Sequence, residues 1–169
     1  MNYLTPWLPP SDTANARTAD TRTFILERRT QFITAVLPFA ILGGTPRIAG
    51  IHTMDSTTLT DAVVMNVLVT APILHYQFQV FKSFGVGVTS VNYSVELHDT
   101  PGIADTVLLS GSSSVDGDGV TGEVDLFSTV SQDVFTRLAQ IRLQVSYTGG
   151  TGEGAGVRMV RPWSLRPPG

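Results

Sequence analysis

Ile141-Arg142-Leu143-Gln144-Val145-Ser146-Tyr147 alternates apolar and polar side chains without a break. In an extended chain Ile141, Leu143, Val145 and Tyr147 share one face, while Arg142, Gln144 and Ser146 share the other. The stretch reads as a β-strand with one dry face and one face open to water or a partner. Gly149 to Gly156 (GGTGEGAG) follows, and Val157 to Arg161 (VRMVR) resumes an extended pattern. The pair is a flexible, long-looped hairpin that closes a sheet. Its glycines lack the lysine and the strand-to-helix turn of a phosphate loop.

Working outward, short strands and turns succeed one another. Phe24 to Leu26 and Phe32 to Leu37 are β-rich, and a helix across Ile33 to Leu42 is disfavoured by Pro38 and Gly43-Gly44. Arg47 to Thr53 is a weak strand. Ala62 to Thr70 (AVVMNVLVT) is apolar on both faces, as expected of a strand covered on two sides. In Ile73 to Phe81, Leu74, Tyr76, Phe78 and Val80 face one way and His75, Gln77 and Gln79 the other. Val86 and Val88 are out of phase with Val91, Tyr93, Val95 and Leu97, which predicts a bulge or bend near Thr89-Ser90. Thr106 to Leu109 and Val120 to Phe127 are further strands, separated by a Gly/Ser/Asp loop from Gly111 to Gly119. Thr129-x-x-Gln132 reads as a capping box opening one short helix near 131–138.

This pattern makes an all-β, antiparallel β-sandwich, with a jelly roll ahead of an immunoglobulin-like topology and an up-and-down barrel as a third arrangement. Extended arms flank it. Residues 1–22 form an N-terminal arm, 23–161 the sandwich domain and 162–169 a C-terminal arm. In the first arm Pro6, Pro9 and Pro10 forbid regular structure, and Tyr3, Leu4, Trp7 and Leu8 need a surface to cover them. The second arm repeats the same physics with Trp163 and Leu165 between prolines.

Charged residues are 15% of the chain, below the ~25% of an ordinary domain, and Lys82 stands alone among ten arginines. Low charge and retained arginine match what protein interfaces select. The absence of cysteine excludes disulfides, thiol nucleophiles and thiolate-bound metal. A net charge of −3 gives no basic footprint for nucleic acid. The longest apolar run, Ile33 to Leu42, is too short for a membrane-spanning helix and is broken by Pro38.

No nucleophile, acid/base pair or cofactor loop can be assembled, so neither catalytic nor cofactor-binding residues are expected. His52, His75 and His98 lie on separate segments. Asp116, Asp118, Glu123 and Asp125 are the weak calcium candidate, set against an ordinary Asp-Gly turn. Arg142 and Gln144, with Arg158 on the next strand, are the outward row suited to a subunit contact or a sugar. The partner-binding set is therefore Tyr3, Leu4, Trp7, Leu8, Arg142, Gln144, Arg158, Trp163 and Leu165.

The Pro/Trp arm Met1 to Pro10, the Ser/Thr/Gly/Val-rich body without cysteine, the strand series Ala62 to Arg161 and the aromatic tail Pro162 to Gly169 together resemble the β-sandwich virion proteins of tailed bacteriophages. The likeness is greatest to capsid decoration or cement proteins. It implies a non-enzymatic structural protein on the capsid surface, made in the host cytoplasm without a secretory signal. It also implies a homo-oligomer, dimer or trimer, that grips the major capsid protein with its arms and needs no cofactor, nucleic acid or membrane. The alternative is a carbohydrate-binding or adhesin module, such as part of a phage fibre or baseplate, with a glycan as partner.

Overall fold

The computed structural model describes residues 35–36, 40–99, 105–129 and 138–167. The N-terminal arm with Tyr3, Leu4, Trp7 and Leu8 lies outside them, as does nearly all of the helix expected near 131–138. The strands are β1 (Ala35–Val36), β2 (Ala40–Leu42), β3 (Thr45–Pro46), β4 (His52–Met54), β5 (Thr60–Leu68), β6 (Ile73–Phe81) and β7 (Gly85–Val86). They continue with β8 (Ser90–Asp99), β9 (Thr106–Ser113), β10 (Asp118–Asp125), β11 (Leu138–Thr148), β12 (Thr151–Gly152), β13 (Ala155–Met159) and β14 (Ser164–Arg166). One turn of helix, α1 (Leu126–Thr129), follows β10.

The strand pairing is that of a jelly roll. β4 pairs with β13, β5 with β11, β6 with β10 and β8 with β9, all antiparallel. That is one long hairpin with its tip at β8–β9, and rolling it up brings β13 beside β6 and β8 beside β11. The result is two sheets. One runs β10-β6-β13-β4-β3, with β14 and β1 beside the first half of β6; the other runs β2-β5-β11-β8-β9.

β11 is central in its sheet, hydrogen-bonded to β5 on one side and β8 on the other. Its apolar parity enters the core as the alternation requires: Ile141, Leu143, Val145 and Tyr147 are all buried. Facing them across the sandwich are Leu74, Phe78 and Val80 of β6 and Val157 of β13, also buried. A single contiguous cluster joins these to Val63, Met65, Val91, Val95 and Trp163.

Several local expectations give way. Ala62 to Thr70 is covered on both faces only at its start: Val63, Met65 and Val67 are buried on one face and Ala62 on the other, but Asn66 and Leu68 on that second face are exposed. The phase change before β8 is a change of element, because β7 leaves the sandwich to pair with β12 as a two-stranded ribbon. That pairing gives the glycine segment Gly149 to Gly156 structure that its composition conceals. The loop expected from Gly111 to Gly119 shrinks to 114–117, since β9 continues through Ser113 and β10 starts at Asp118. Glycine is a poor strand former. Here the Tyr93 ring covers Gly111, with Cζ 2.6 Å from where a β-carbon would sit, and Tyr76 covers Gly122 in the same way at 3.0 Å. A long-range aromatic thus fills each gap in an edge strand.

The C-terminal arm is the main correction. Trp163 and Leu165, expected to grip a partner, are fully buried in the chain's own core. Ser164–Arg166 is a strand, its residues paired with His75, Leu74 and Ile73 of β6. The Trp163 ring lies 6.0 Å from Tyr76 and 5.8 Å from Phe78, and its indole N–H donates to the Gln77 carbonyl at 3.4 Å. Burying so large a ring outweighs any tendency of the flanking prolines to hold it out in water.

Candidate interaction surfaces

Three surfaces emerge from the two sheets. The first is the outer face of β5-β11-β8-β9, which carries Arg142 and Gln144. Arg142 donates to Gln140 Oε1 at 3.2 and 2.8 Å, and Gln140 donates to Asn66 Oδ1 at 3.0 Å. Gln144 donates to Asp61 Oδ1 at 2.9 Å, and the Arg142 guanidinium stands 4.0 Å from the same carboxylate. The row is a ladder that satisfies itself across two strands. Beyond it Leu68 and Leu138 are direct cross-strand partners, 53% and 63% exposed, with Val107 of β9 50% exposed on the same face. These aliphatics are what sequence reasoning missed, because Ala62 to Thr70 reads as covered on both sides.

The second surface is the outer face of β10-β6-β13. Arg158 donates through Nε to Gln79 Oε1 at 3.0 Å, and its guanidinium carbon lies 5.5 Å above the Phe81 ring centre. Phe84 lies across Gly156, its Cδ2 and Cε2 each 3.2 Å from where a β-carbon would be. Further along the face His75 stands in register between Glu123 and Ser164. Arg166 takes the Glu123 carboxylate as an ion pair, and among the described residues no side-chain hydrogen bond joins His75, Glu123 and Ser164. The other histidines are far apart: His52 Nδ1 meets the Gly43 carbonyl at 3.1 Å, and His98 pairs with Asp105.

The four carboxylates of the calcium candidate do not converge. Asp116 Oδ1 accepts from the backbone N–H of Lys82 and Ser83 at 3.1 and 3.2 Å, tying one turn to another. Asp118 and Asp125 stand at opposite ends of β10, whose eight residues rise about 3.4 Å each. Asp125 accepts from Ser128 N–H at 3.4 Å at the start of α1. Extended backbone separates what a loop would have gathered. Among the described residues no group of three His, Cys, Asp or Glu is placed to hold a metal ion, and no helix is long and apolar enough to cross a membrane.

The third surface is the β7–β12 ribbon, anchored by Glu153. Thr53, fully buried, and Arg47 both donate to the Glu153 carboxylate, Arg47 Nε at 3.0 Å. The hydrogen bond from Thr53 and then those from Arg47 hold the Glu153 carboxyl below its ordinary value. A carboxylate held this way stabilises the ribbon at pH above the usual glutamate range, and that stability is lost as pH falls through the depressed native value. The protection factors of residues 149–154, exchange rates corrected for their intrinsic pH dependence, are therefore expected to fall on acidification through the carboxylate range, and Glu153→Gln to lower them already at neutral pH. A ribbon equally protected in the variant would contradict the anchor.

No family model matches the sequence, and comparison with curated proteins gives no match. Among solved structures the chain is similar to one in the infectious bursal disease virus Gx strain, with a TM-score of 0.41 and 9% identity over 79% of this chain and 32% of that one. It is also similar to a family two carbohydrate esterase from Cellvibrio japonicus, with a TM-score of 0.27 and 16% identity over 78% of this chain and 33% of that one. The chain spans about a third of the length of each.

Proposed function

We propose that this chain is a non-enzymatic structural protein of a virion, which associates with copies of itself and stabilises a shell by holding neighbouring subunits. The observation that carries the reading is the pair Leu68 and Leu138, exposed side by side on the outer face of a strand whose composition calls for cover on both sides. Apolar side chains beside a self-satisfied Arg/Gln ladder, on a chain with 15% charged residues, suit a face that meets protein. Jelly rolls serve capsids, lectins and other roles, so the fold alone does not choose. A capsid decoration role, with Met1 to Pro10 as the gripping arm, is the finer form of this proposal. The arm's prolines lower the entropy lost on docking, and contacts added to those of the sandwich raise avidity.

The test is a double variant, Leu68→Asp with Leu138→Asp. Placing two carboxylates opposite each other on this face is expected to convert an oligomer into a folded monomer at micromolar concentration, read by light scattering and circular dichroism. An oligomer of unchanged mass would rule this face out as the contact.

A carbohydrate-binding module is the second reading, favoured by Phe84 lying across Gly156 and edge-on to Phe81, over which Arg158 stands bonded to Gln79. A ring on a glycine floor next to planar hydrogen-bonding groups can stack and orient a sugar. Binding on a glycan array that Phe84→Ala abolishes supports it, and silence across the array counts against it.

A further inference from the structure

We propose that the outer face of β6 and β13 binds a sugar ring that bears a carboxylate, with Arg158 holding the charge and the Phe81–Phe84 pair holding the ring. The inference rests on the second of the two readings above and narrows it to a class of ligand. It lies on the opposite sheet from Leu68 and Leu138, so a protein that assembles through those residues can carry it as well.

Arg158 is the cation that the fold orders without neutralising. Arg47 is paired with Glu153, Arg166 with Glu123, and Arg142 stands beside Asp61. Arg158 has no acidic partner among the described residues. Its Nε and Nη2 donate to Gln79 Oε1, Nε at 3.0 Å, and its guanidinium carbon lies 5.5 Å from the centre of the Phe81 ring. Gln79 is itself fixed, its Nε2 donating to the Gly117 carbonyl at 3.3 Å. The amide therefore occupies the Nε edge of the guanidinium and leaves the Nη1–Nη2 end, two parallel N–H donors, directed away from it. That fork matches the two oxygens of a carboxylate. Held in place beforehand, it loses little freedom on binding.

The surroundings suit a ring. Phe81 and Phe84 are half-buried and meet edge to face, their centres 6.3 Å apart. Gly156, the cross-strand partner of Phe81, leaves the room that Phe84 fills. Gly119, in register with Gln79, is exposed, and a β-carbon there would meet nothing within 4 Å, so the surface next to the amide is open. Aromatic C–H and π surface beside amide and guanidinium donors is what a hydroxylated ring with one charge requires.

A peptide is disfavoured by the sheet itself. β13 is paired with β4 on one side and β6 on the other, and Phe78 to Val80 of β6 pair with both β13 and β10. The main chain of this floor is spent, and no strand can add to it. Neighbouring carboxylates do not compete for the site. Glu153, bonded to Thr53 opposite Gly156, is matched by Arg47. Asp116 is held by the backbone N–H of Lys82 and Ser83, and Asp118 is in register with buried Val80, on the other parity.

Methyl glucuronide and methyl sialoside, each beside its own methyl ester, are the probes, titrated into the full chain and followed by NMR. The ester keeps the ring and removes the charge. At least one acid is expected to bind about tenfold more tightly than its ester, the worth of one charge-assisted pair, with shifts at Gln79, Phe84 and Arg158. Which acid does so tells a uronic from a sialic ligand. Arg158→Gln, its fold checked by circular dichroism, is expected to remove the preference, and Phe84→Ala to weaken acid and ester alike. Acids that bind no better than their esters would overturn the proposal while leaving a site for neutral sugars. Acetate binding as tightly as the acids would overturn it too, by showing a site for any small anion. No binding of any probe at millimolar concentration would remove both the proposal and the reading beneath it.

Discussion

Trp163→Ala is expected to lower folding stability by about 3–5 kcal/mol, the range for emptying a large aromatic site in a packed core. Trp163 is fully buried, in contact with Tyr76 and Phe78, and its indole N–H has a backbone acceptor. The loss is a large share of the roughly 5–15 kcal/mol that holds a domain together. Removing residues 162–169 also takes away Leu165 and the pairing of β14 with β6, so that truncation is expected to leave the chain unfolded. Chemical denaturation followed by far-UV circular dichroism separates the two roles of this segment. A strap for a partner would leave the midpoint of the free protein unmoved; a core strand cannot.

Gly44→Ala is expected to cost roughly 2–5 kcal/mol, from two independent sources. Gly44 lies in the link that carries the chain from β2 on one sheet to β3 on the other, with φ of 76°, where an L-residue pays about 1–2 kcal/mol. An added methyl would also overlap the carbonyl oxygen of buried Thr53 and stand 3.0 Å from Met54 Cγ, adding about 1–3 kcal/mol of overpacking. Gly50→Ala is the internal control. It shares a positive φ of 72° but has nothing within 4 Å, so only the backbone penalty remains. Denaturation midpoints shifted equally by both would show that the close approach at Gly44 is unimportant.

The sandwich was legible wherever burial follows a local period. The alternation of Ile141 to Tyr147 and of Ile73 to Phe81 each predicted the buried parity, because one face of each strand meets the core. Strand order was not legible, since β4–β13 pairs residues about 100 apart in sequence and β5–β11 pairs residues about 70–85 apart. Glycine and serine at 110–113 read as loop because the ring that covers Gly111 comes from β8. Trp163 read as part of an arm because Pro162 and Pro167 flank it, and nothing nearby reveals that the acceptor for its N–H is the Gln77 carbonyl. The polar row Arg142 and Gln144 was found by parity, whereas Leu68 and Leu138 on the same face were not. Their exposure depends on what lies over β5, and only the assembled sandwich shows that, among the described residues, they stand open.

The mass of the native chain, measured by light scattering over a range of concentrations, tests the assembly reading most directly. A closed dimer or trimer, twice or three times the 18.1 kDa chain and constant across the range, is the predicted result. A monomer that persists at high concentration would contradict it.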